Sequence, residues 1–524
     1  MRIGFVAVYS WRPHVEHLHY LAGLVREDGH HVEFLTCDAD LTACYTRELR
    51  AVRPDWQECL MCRLGGLRSF ETKNISSIGS YSRNRSPAPA GAVDGALSSA
   101  STLGRFESPD DYASEEFNDI VVRLQANVEK AYNAALAWID DKRLDALVIF
   151  NGRMDATRAI FEAGADRKIP VATVERTWFG DGLQILPGES CLGLQSVNKL
   201  VSDWSDKPLT LIQAQKAASY ISSRFLSRNQ NEWRAYNSNG DIREWPSTLG
   251  RHRILLIPGS VNEIWGHPDW VSEWSHPTDA YDSIIDHFKL DPTDLVLRCH
   301  PNWGEKIGKN DGRRSEEYYV DWARKRGIHS IASTDRTSTV GLIAQSETVV
   351  IGAGSAGLEA GALGKQIIGI SPSIYQHAAM RENAYDPEQL KLLCLRSSKS
   401  ETEQRSAEDK VRRQTLRFAY AITHRVAQYV DYVKCVDPTR YVYKAGADPR
   451  RLIDMLTRNE LTADDEEFSP SDSEESLVLD MMRQLRWSEL IREYDVSAEF
   501  ASIQRRKPFA FVDLIRNRMQ RGDR

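Results

Sequence analysis

No stretch of this 524-residue chain approaches the roughly 18 consecutive apolar residues that a bilayer crossing needs. There is no cationic excess either. The 67 Lys and Arg stand against 74 Asp and Glu, a formal net charge of -7, which excludes a bulk nucleic-acid binder and sets the expectation of no nucleic-acid partner. The opening Met1-Arg2-Ile3-Gly4-Phe5-Val6-Ala7-Val8 lacks the small-residue cleavage site of a secretory leader and reads as a first strand. Cysteine is sparse, at eight residues. Without a secretory signal the expectation is reduced thiols in a cytoplasm. No aspartate pair has obvious metal-binding spacing, so no cofactor and no essential divalent ion is expected. What is present is an ordinary globular composition, 41% hydrophobic and 27% charged, in a chain long enough for two cores.

Short apolar runs alternate with helical periodicity, as in βαβ units with strands buried on both faces. In the first half, strands are predicted at 3–8, 31–35, 147–150 and 171–174, and helices near 114–140 and 154–165. In the second half, strands are predicted at 254–257, 295–298, 348–351 and 366–370. The fold class is therefore α/β, with two Rossmann-like doubly wound domains and a C-terminal helical extension. The expected organisation is a first domain over 1–225, a linker over 226–250 and a second domain over 251–400. Helices crossing back over 401–460 follow, including a long one near 405–435, and then an acidic linker, a helix and a basic tail over 461–524. The Ser-, Gly-, Ala- and Pro-rich stretch from about 72 to 110 reads as a flexible, partly disordered insertion.

Polar residues gather where the strands end, which is where open α/β sheets bind ligands. Ile351-Gly352-Ala353-Gly354-Ser355-Ala356-Gly357-Leu358-Glu359-Ala360 follows a strand and opens a helix. Gly354 and Gly357 would let the backbone approach a phosphate, Ser355 adds a hydroxyl donor, and Glu359 could accept from ribose hydroxyls. The same segment would also serve as a turn for close strand–helix packing. A nicotinamide fingerprint would need an acidic residue about twenty positions further on. Ser371-Pro372-Ser373 stand there instead. Arg298-Cys299-His300-Pro301-Asn302 ends another strand of the same half. His300 there could donate to a phosphate oxygen, protonate a leaving group, or be a satisfied loop histidine.

His300-Pro301 and Ser355-Ala356-Gly357-Leu358-Glu359-Ala360, with Gly364-Lys365 after them, resemble the capsule polysaccharide biosynthesis glycosyltransferases. These are two-domain GT-B-like enzymes, some of which use CMP-Kdo. Their HP and serine motifs are similar to those of bacterial sialyltransferases. Asn151-Gly152-Arg153, Glu175-Arg176 and Ser260-Val261-Asn262-Glu263 followed by Trp270 look like the same group. The resemblance implies that His300 and Ser355 hold a nucleotide phosphate, that Glu359 faces the nucleoside, and that Pro301, Asn302, Gly354 and Gly357 belong to that donor site. Relatives often carry an acidic pair near Asn262-Glu263, where this chain has an amide first.

In the first half Asn151, Arg153, Glu175 and Arg176 all sit at strand ends. Arg153 or Arg176 could fork onto an anionic sugar or phosphate, and Asn151 and Ser260 join them as candidate substrate contacts. Glu175 is the first candidate general base for an acceptor hydroxyl, with Glu263 and Asp181 as further carboxylates. An internal Arg–Glu pair stiffening the loops is the plainer alternative. Cys37, Cys44, Cys59 and Cys62 could be zinc ligands, but their spacing matches no standard site. Buried thiols are the plainer reading. Arg505-Arg506-Lys507 with Phe509 and Phe511 makes a basic-aromatic tail that could touch an anionic membrane surface. The function expected is glycosyl transfer from a nucleotide sugar, CMP-linked Kdo or another acidic sugar favoured, to a surface glycan or lipid-linked glycan. The expected place is the cytoplasm or the inner face of the membrane. A nucleotide-sugar 2-epimerase and a non-catalytic glycan- or nucleotide-binding protein are the alternatives.

Overall fold

The computed structural model describes residues 1–50, 52–81, 86–229, 240–246, 249–306, 310–462, 467–492, 499–501, 503, 505–511 and 513. Two sheets form its frame. In the first, β1 (Arg2–Val6), β2 (His31–Thr36), β3 (Ile75–Ser77), β4 (Ala146–Phe150) and β5 (Val171–Arg176) lie parallel in the order β3-β2-β1-β4-β5. β6 (Leu183–Pro187) then adds antiparallel to β5. In the second sheet, β7 (Ile254–Ile257), β8 (Leu295–Arg298), β9 (His329–Ile331), β10 (Thr348–Ile351), β11 (Gln366–Gly369) and β12 (Glu382–Asn383) run in the order β12-β11-β10-β7-β8-β9, and every pairing is parallel. Both orders reverse where the first and fourth strands meet, β1 beside β4 and β7 beside β10. Such a switch point opens a crevice outside the strand ends.

The sequence explains the frame. β4, β7, β8, β10 and β11 are wholly buried, as their unbroken Ile, Leu and Val runs require of strands covered on both faces. The helix Glu115–Lys142 keeps one apolar stripe, through Leu124, Val128, Ala131, Ala135, Trp138 and Ile139, in the core. Gly4 is needed on β1, because a Cβ there would lie 2.6 Å from the ring of Trp138.

Of the stretch expected to be a flexible, partly disordered insertion, 82–85 lie outside the described residues, and much of the rest is ordered. Residues 90–104 form a helix with Ala92, Ala96 and Ala100 fully buried. Small residues at four-residue spacing let it press against the helix Asp155–Asp166, where a Cβ on Gly95 would lie 2.7 Å from Cβ of Arg158. The composition that reads as a linker is here a packing surface. The expected long helix near 405–435 is also shorter. Glu401–Tyr420 is helical, Ala421–Val426 is a wider π-type turn, and β13 (Ala427–Gln428) pairs antiparallel with β6. The chain thereby leaves the second half and rejoins the first sheet. A hairpin of β14 (Val433–Asp437) and β15 (Arg440–Tyr443) and the helix Arg450–Arg458 follow. The helix expected near 474–494 spans Ser473–Arg483, followed by a short turn of helix at Trp487–Leu490. Of the expected linker, 230–239 and 247–248 lie outside the described residues, as do 463–466 of the acidic segment and 514–524 of the tail. Within the rest, Trp245 is buried and its backbone N–H donates to Gln345 Oε1 at 2.9 Å.

Candidate active site

The first wall is built at the ends of β4 and β5. Asn151 takes a left-handed conformation (φ 66°) directly after β4, which turns its side chain back towards β5. Its Nδ2 donates to Glu175 Oε2 at 3.0 Å, and the Arg176 backbone N–H donates to Oε1 at 3.0 Å. His14, at the start of the helix after β1, places Nε2 3.2 Å from the same Oε1. Burial pushes the Glu175 carboxyl up, against the lowering influence of Arg176, Asn151 and Arg153. Burial likewise pushes His14 well below 6.5, helped by Arg176. A neutral His14 donates to Glu175 through Nε2–H, and its Nδ1 is buried without a protein partner. Nearby, Asp155 is fully buried and accepts from the Tyr9 hydroxyl. Desolvation raises it to about 6.

The second wall surrounds a cavity of about 1040 Å³ at the ends of β7, β8 and β10. His300, Pro301, Gly354, Ser355 and Glu359 all line it. His300 Nδ1 accepts from the Asn302 backbone N–H at 3.3 Å, so the neutral ring carries its proton on Nε2. Burial, then Arg105 and Arg298, lower His300 to about 4. At neutral pH it is therefore a hydrogen-bond donor and not a ready acid, which weakens the expected option of leaving-group protonation. A Cβ on Gly354 would meet nothing within 4 Å, whereas one on Gly357 would lie 2.9 Å from Ile351 and 3.2 Å from Tyr375. Gly354 thus borders open space, and Gly357 is small for packing. Glu359 Oε1 pairs with Arg224 of the helix Leu211–Phe225, at 2.7 Å from Nε and 2.6 Å from Nη2, while Oε2 is buried without a protein partner. Arg224 Nη2 also donates to Ser355 Oγ at 3.2 Å.

The helix Ala90–Gly104 and the turn after it join the walls. Arg105 donates to Asn302 Oδ1 at 2.9 Å and to the Glu305 carbonyl at 2.8 Å. Ser101 and Thr102 hydroxyls donate to the Asn262 carbonyl, each at 3.1 Å. Arg153 donates to Ser98 Oγ at 2.7 Å. Asn302 turns from the cavity to donate to Glu263 Oε1 at 3.2 Å. Glu263 keeps an exposed face, but the protein around it raises its carboxyl against the pull of Arg153, Arg105 and Asn302. The Arg153 charge thus reaches both Glu175 and Glu263. Ser260 Oγ and Asn262 Nδ2, on the same loop, are buried with no protein partner.

Two expected residues face elsewhere. Asp181 accepts from the Cys435 N–H at 2.8 Å and pairs with Lys434 at 3.2 Å, pinning the β14–β15 hairpin. Arg176 Nη1 donates to the Pro438 carbonyl of the same hairpin at 3.4 Å. Sequence reasoning missed His14, Arg105 and Arg224. His14 carried a weak signal, a histidine just beyond the first strand; the other two carried none. Cys37, Cys44, Cys59 and Cys62 line one small pocket, and burial pushes the Cys37 thiol up to about 11. Among the described residues no group of three His, Cys, Asp or Glu side chains is arranged to hold a metal.

No protein-family profile matches the chain, and no curated protein does. Solved structures that align with the chain include the KpsC beta Kdo 2,4 transferase of Thermosulfurimonas dismutans, at 14% identity and TM-score 0.32 over 60% of this chain and 87% of that one. The UDP-GlcNAc 2-epimerase of Neisseria meningitidis bound to UDP-GlcNAc aligns at 12% identity and TM-score 0.28 over 88% of this chain and 100% of that one. The glycosyltransferase SsfS6 of Streptomyces sp. SF2575 aligns at 11% identity and TM-score 0.23 over 80% and 96%.

Proposed function

We propose that the chain is a glycosyltransferase that moves a sugar from a nucleotide donor to a glycan or lipid-linked glycan acceptor. The observation that carries the reading is the cavity at the β7/β10 switch point, lined by a neutral histidine and a serine hydroxyl and bordered by a glycine that opens onto it. His300 Nε2–H and Ser355 Oγ would hold donor phosphate oxygens, and Glu359 Oε2 would accept from a ribose hydroxyl. Across the cleft Glu175, raised by burial, would take the proton of the acceptor hydroxyl as its oxygen bonds to the anomeric carbon. The anomeric carbon–phosphate oxygen bond breaks as the nucleotide leaves. Arg153 and Ser260 would contact the sugars, with Glu263 as the second carboxylate. A CMP-linked acidic sugar is the favoured donor: the motif resemblance suggests the CMP, and Arg153, whose charge reaches both Glu175 and Glu263, offers a cation for an acidic sugar. The expected setting is the cytoplasm or the inner membrane face. Among the described residues no helix is long and apolar enough to cross a membrane.

The test begins with thermal shift across CMP, UDP, GDP and their sugars, followed by product analysis with and without acceptor. Transfer only when an acceptor is present supports the proposal. An epimerised sugar formed from donor alone would replace it with the 2-epimerase reading, and tight binding without turnover with the binding-protein reading.

A further inference from the structure

The helix Asp55–Gly65 is built inside-out. Trp56 is 66% exposed, Leu60 and Met61 are each 47% exposed and Leu64 is 39% exposed, while the side chain it buries is Glu58. Trp56, Leu60 and Leu64 recur at four-residue spacing and so form one stripe. Val52, just before the helix, extends it at 75% exposure. A helix of a globular protein buries such a stripe; an exposed one marks an interaction surface.

The rim of the stripe is cationic. Glu58 is shared by Arg50 at 3.9 Å and Arg53 at 3.4 Å. Asp38 is shared by Arg63 at 3.7 Å and by Arg68. Two carboxylates neutralise two of these four guanidinium groups. The basic-aromatic tail lies along the same edge, where Arg505 Nη2 donates to the Leu64 carbonyl at 3.0 Å and the Arg506 N–H to the Ser69 carbonyl at 2.9 Å. Arg506, Lys507 and Phe511 are exposed there.

We propose that this face docks on an anionic lipid bilayer. The stripe would enter the headgroup–acyl boundary while the arginines and the tail meet lipid phosphates. A second copy of the chain is a poorer occupant, because a two-fold contact would set the cationic rim against itself. Gly65 and Gly66 pack beside Ser10, in the loop that follows β1, so docking would hold the first wall of the cleft near the membrane. Docking itself does not depend on the transferase reading.

The full chain, co-sedimented with vesicles of phosphatidylcholine alone or with about 30% phosphatidylglycerol, tests this, since anionic lipid supplies the attraction. Binding to the anionic vesicles, weakening with added salt, is expected. Trp56→Ser/Leu60→Ser/Leu64→Ser should lower vesicle affinity roughly tenfold or more at an unchanged melting temperature. If the triple variant does not fold, Leu60→Gln alone should still weaken binding. Absence of binding to anionic vesicles, or equal binding by the variants, overturns the proposal. A dimer that the triple variant dissociates, without vesicle binding, overturns it in favour of a second copy.

Discussion

Glu175 and Glu359 are both glutamates near the ends of parallel strands, one beside each sheet, and they differ in what holds them. Glu359 faces a guanidinium, Arg224, at 2.6 Å. Its charge is compensated by the helix Leu211–Phe225, which makes it a structural tie and leaves its second oxygen buried without a protein partner. Glu175 is held by an amide, a backbone N–H and a histidine that burial keeps neutral. These donors orient the carboxylate without neutralising it, and burial raises its proton affinity. Position at a strand end does not separate a tie from a base; the chemistry of the partner does.

The sharpest way to break this comparison is to remove basicity from one glutamate and the partner from the other. Glu175→Gln should slow turnover by about 10²–10⁴-fold, the usual contribution of a general base, while leaving donor affinity nearly intact. Arg224→Met leaves Glu359 buried and unpaired and should cost about 3–5 kcal/mol in denaturant unfolding, with Arg224→Met/Glu359→Gln recovering much of it. Recovery of stability without recovery of nucleotide affinity would confirm that Glu359 holds both roles. Unchanged stability in Arg224→Met would remove the tie.

The frame of this contrast was legible in the sequence, and its joints were not. β4, β7, β8, β10 and β11 announce themselves because strands buried on both faces must be continuously apolar. Glu175, His300 and Ser355 follow from being polar residues where those runs stop. Arg105, Arg224 and the helix Ala90–Gly104 were hidden because they act through long-range contacts. The buried face of that helix is made of Ala, Gly and Ser, whose small size is what close packing needs and what composition alone assigns to a loop. β13 is two residues long and pairs with β6 across more than two hundred positions, too short for any periodicity.

Smaller effects sharpen the second wall. Ser355→Ala should weaken nucleotide binding by about 0.5–1.5 kcal/mol, or more if the hydroxyl meets a charged phosphate, as read by calorimetry. Acid pH separates the groups by sign. His19, His267 and His300 are pushed to about 3, about 4 and about 4 from an ordinary 6.5. Below 6.5 the unfolded chain takes up protons that these rings refuse, so their contribution to stability is lost as pH falls from 6.5 towards 4. His14 and His17, pushed well below 6.5, act in the same sense, while Asp155, raised to about 6 from 3.8, and Glu16, Glu175 and Glu263, raised by burial, act oppositely. Stability should therefore fall on acidification from pH 7 to 5, and His267→Gln should flatten that slope by up to about 1.4 kcal/mol per pH unit. A slope of opposite sign would show that the rings are charged in the folded protein. The smallest effect is expected at Asp181, where Asp181→Asn keeps the acceptor for the Cys435 N–H but loses the ion pair with Lys434, and should loosen the hairpin by about 0.2–1 kcal/mol and leave turnover unchanged.

The most direct measurement is isothermal calorimetry of nucleotides and nucleotide sugars with the wild-type chain and with Ser355→Trp, whose indole would fill the mouth of the cavity between β7 and β10. The account predicts saturable binding of at least one nucleotide by the wild type and none by the variant, at an unchanged melting temperature. Equal nucleotide affinity in Ser355→Trp would contradict it, because the nucleotide would then be held somewhere other than the wall built by His300 and Ser355.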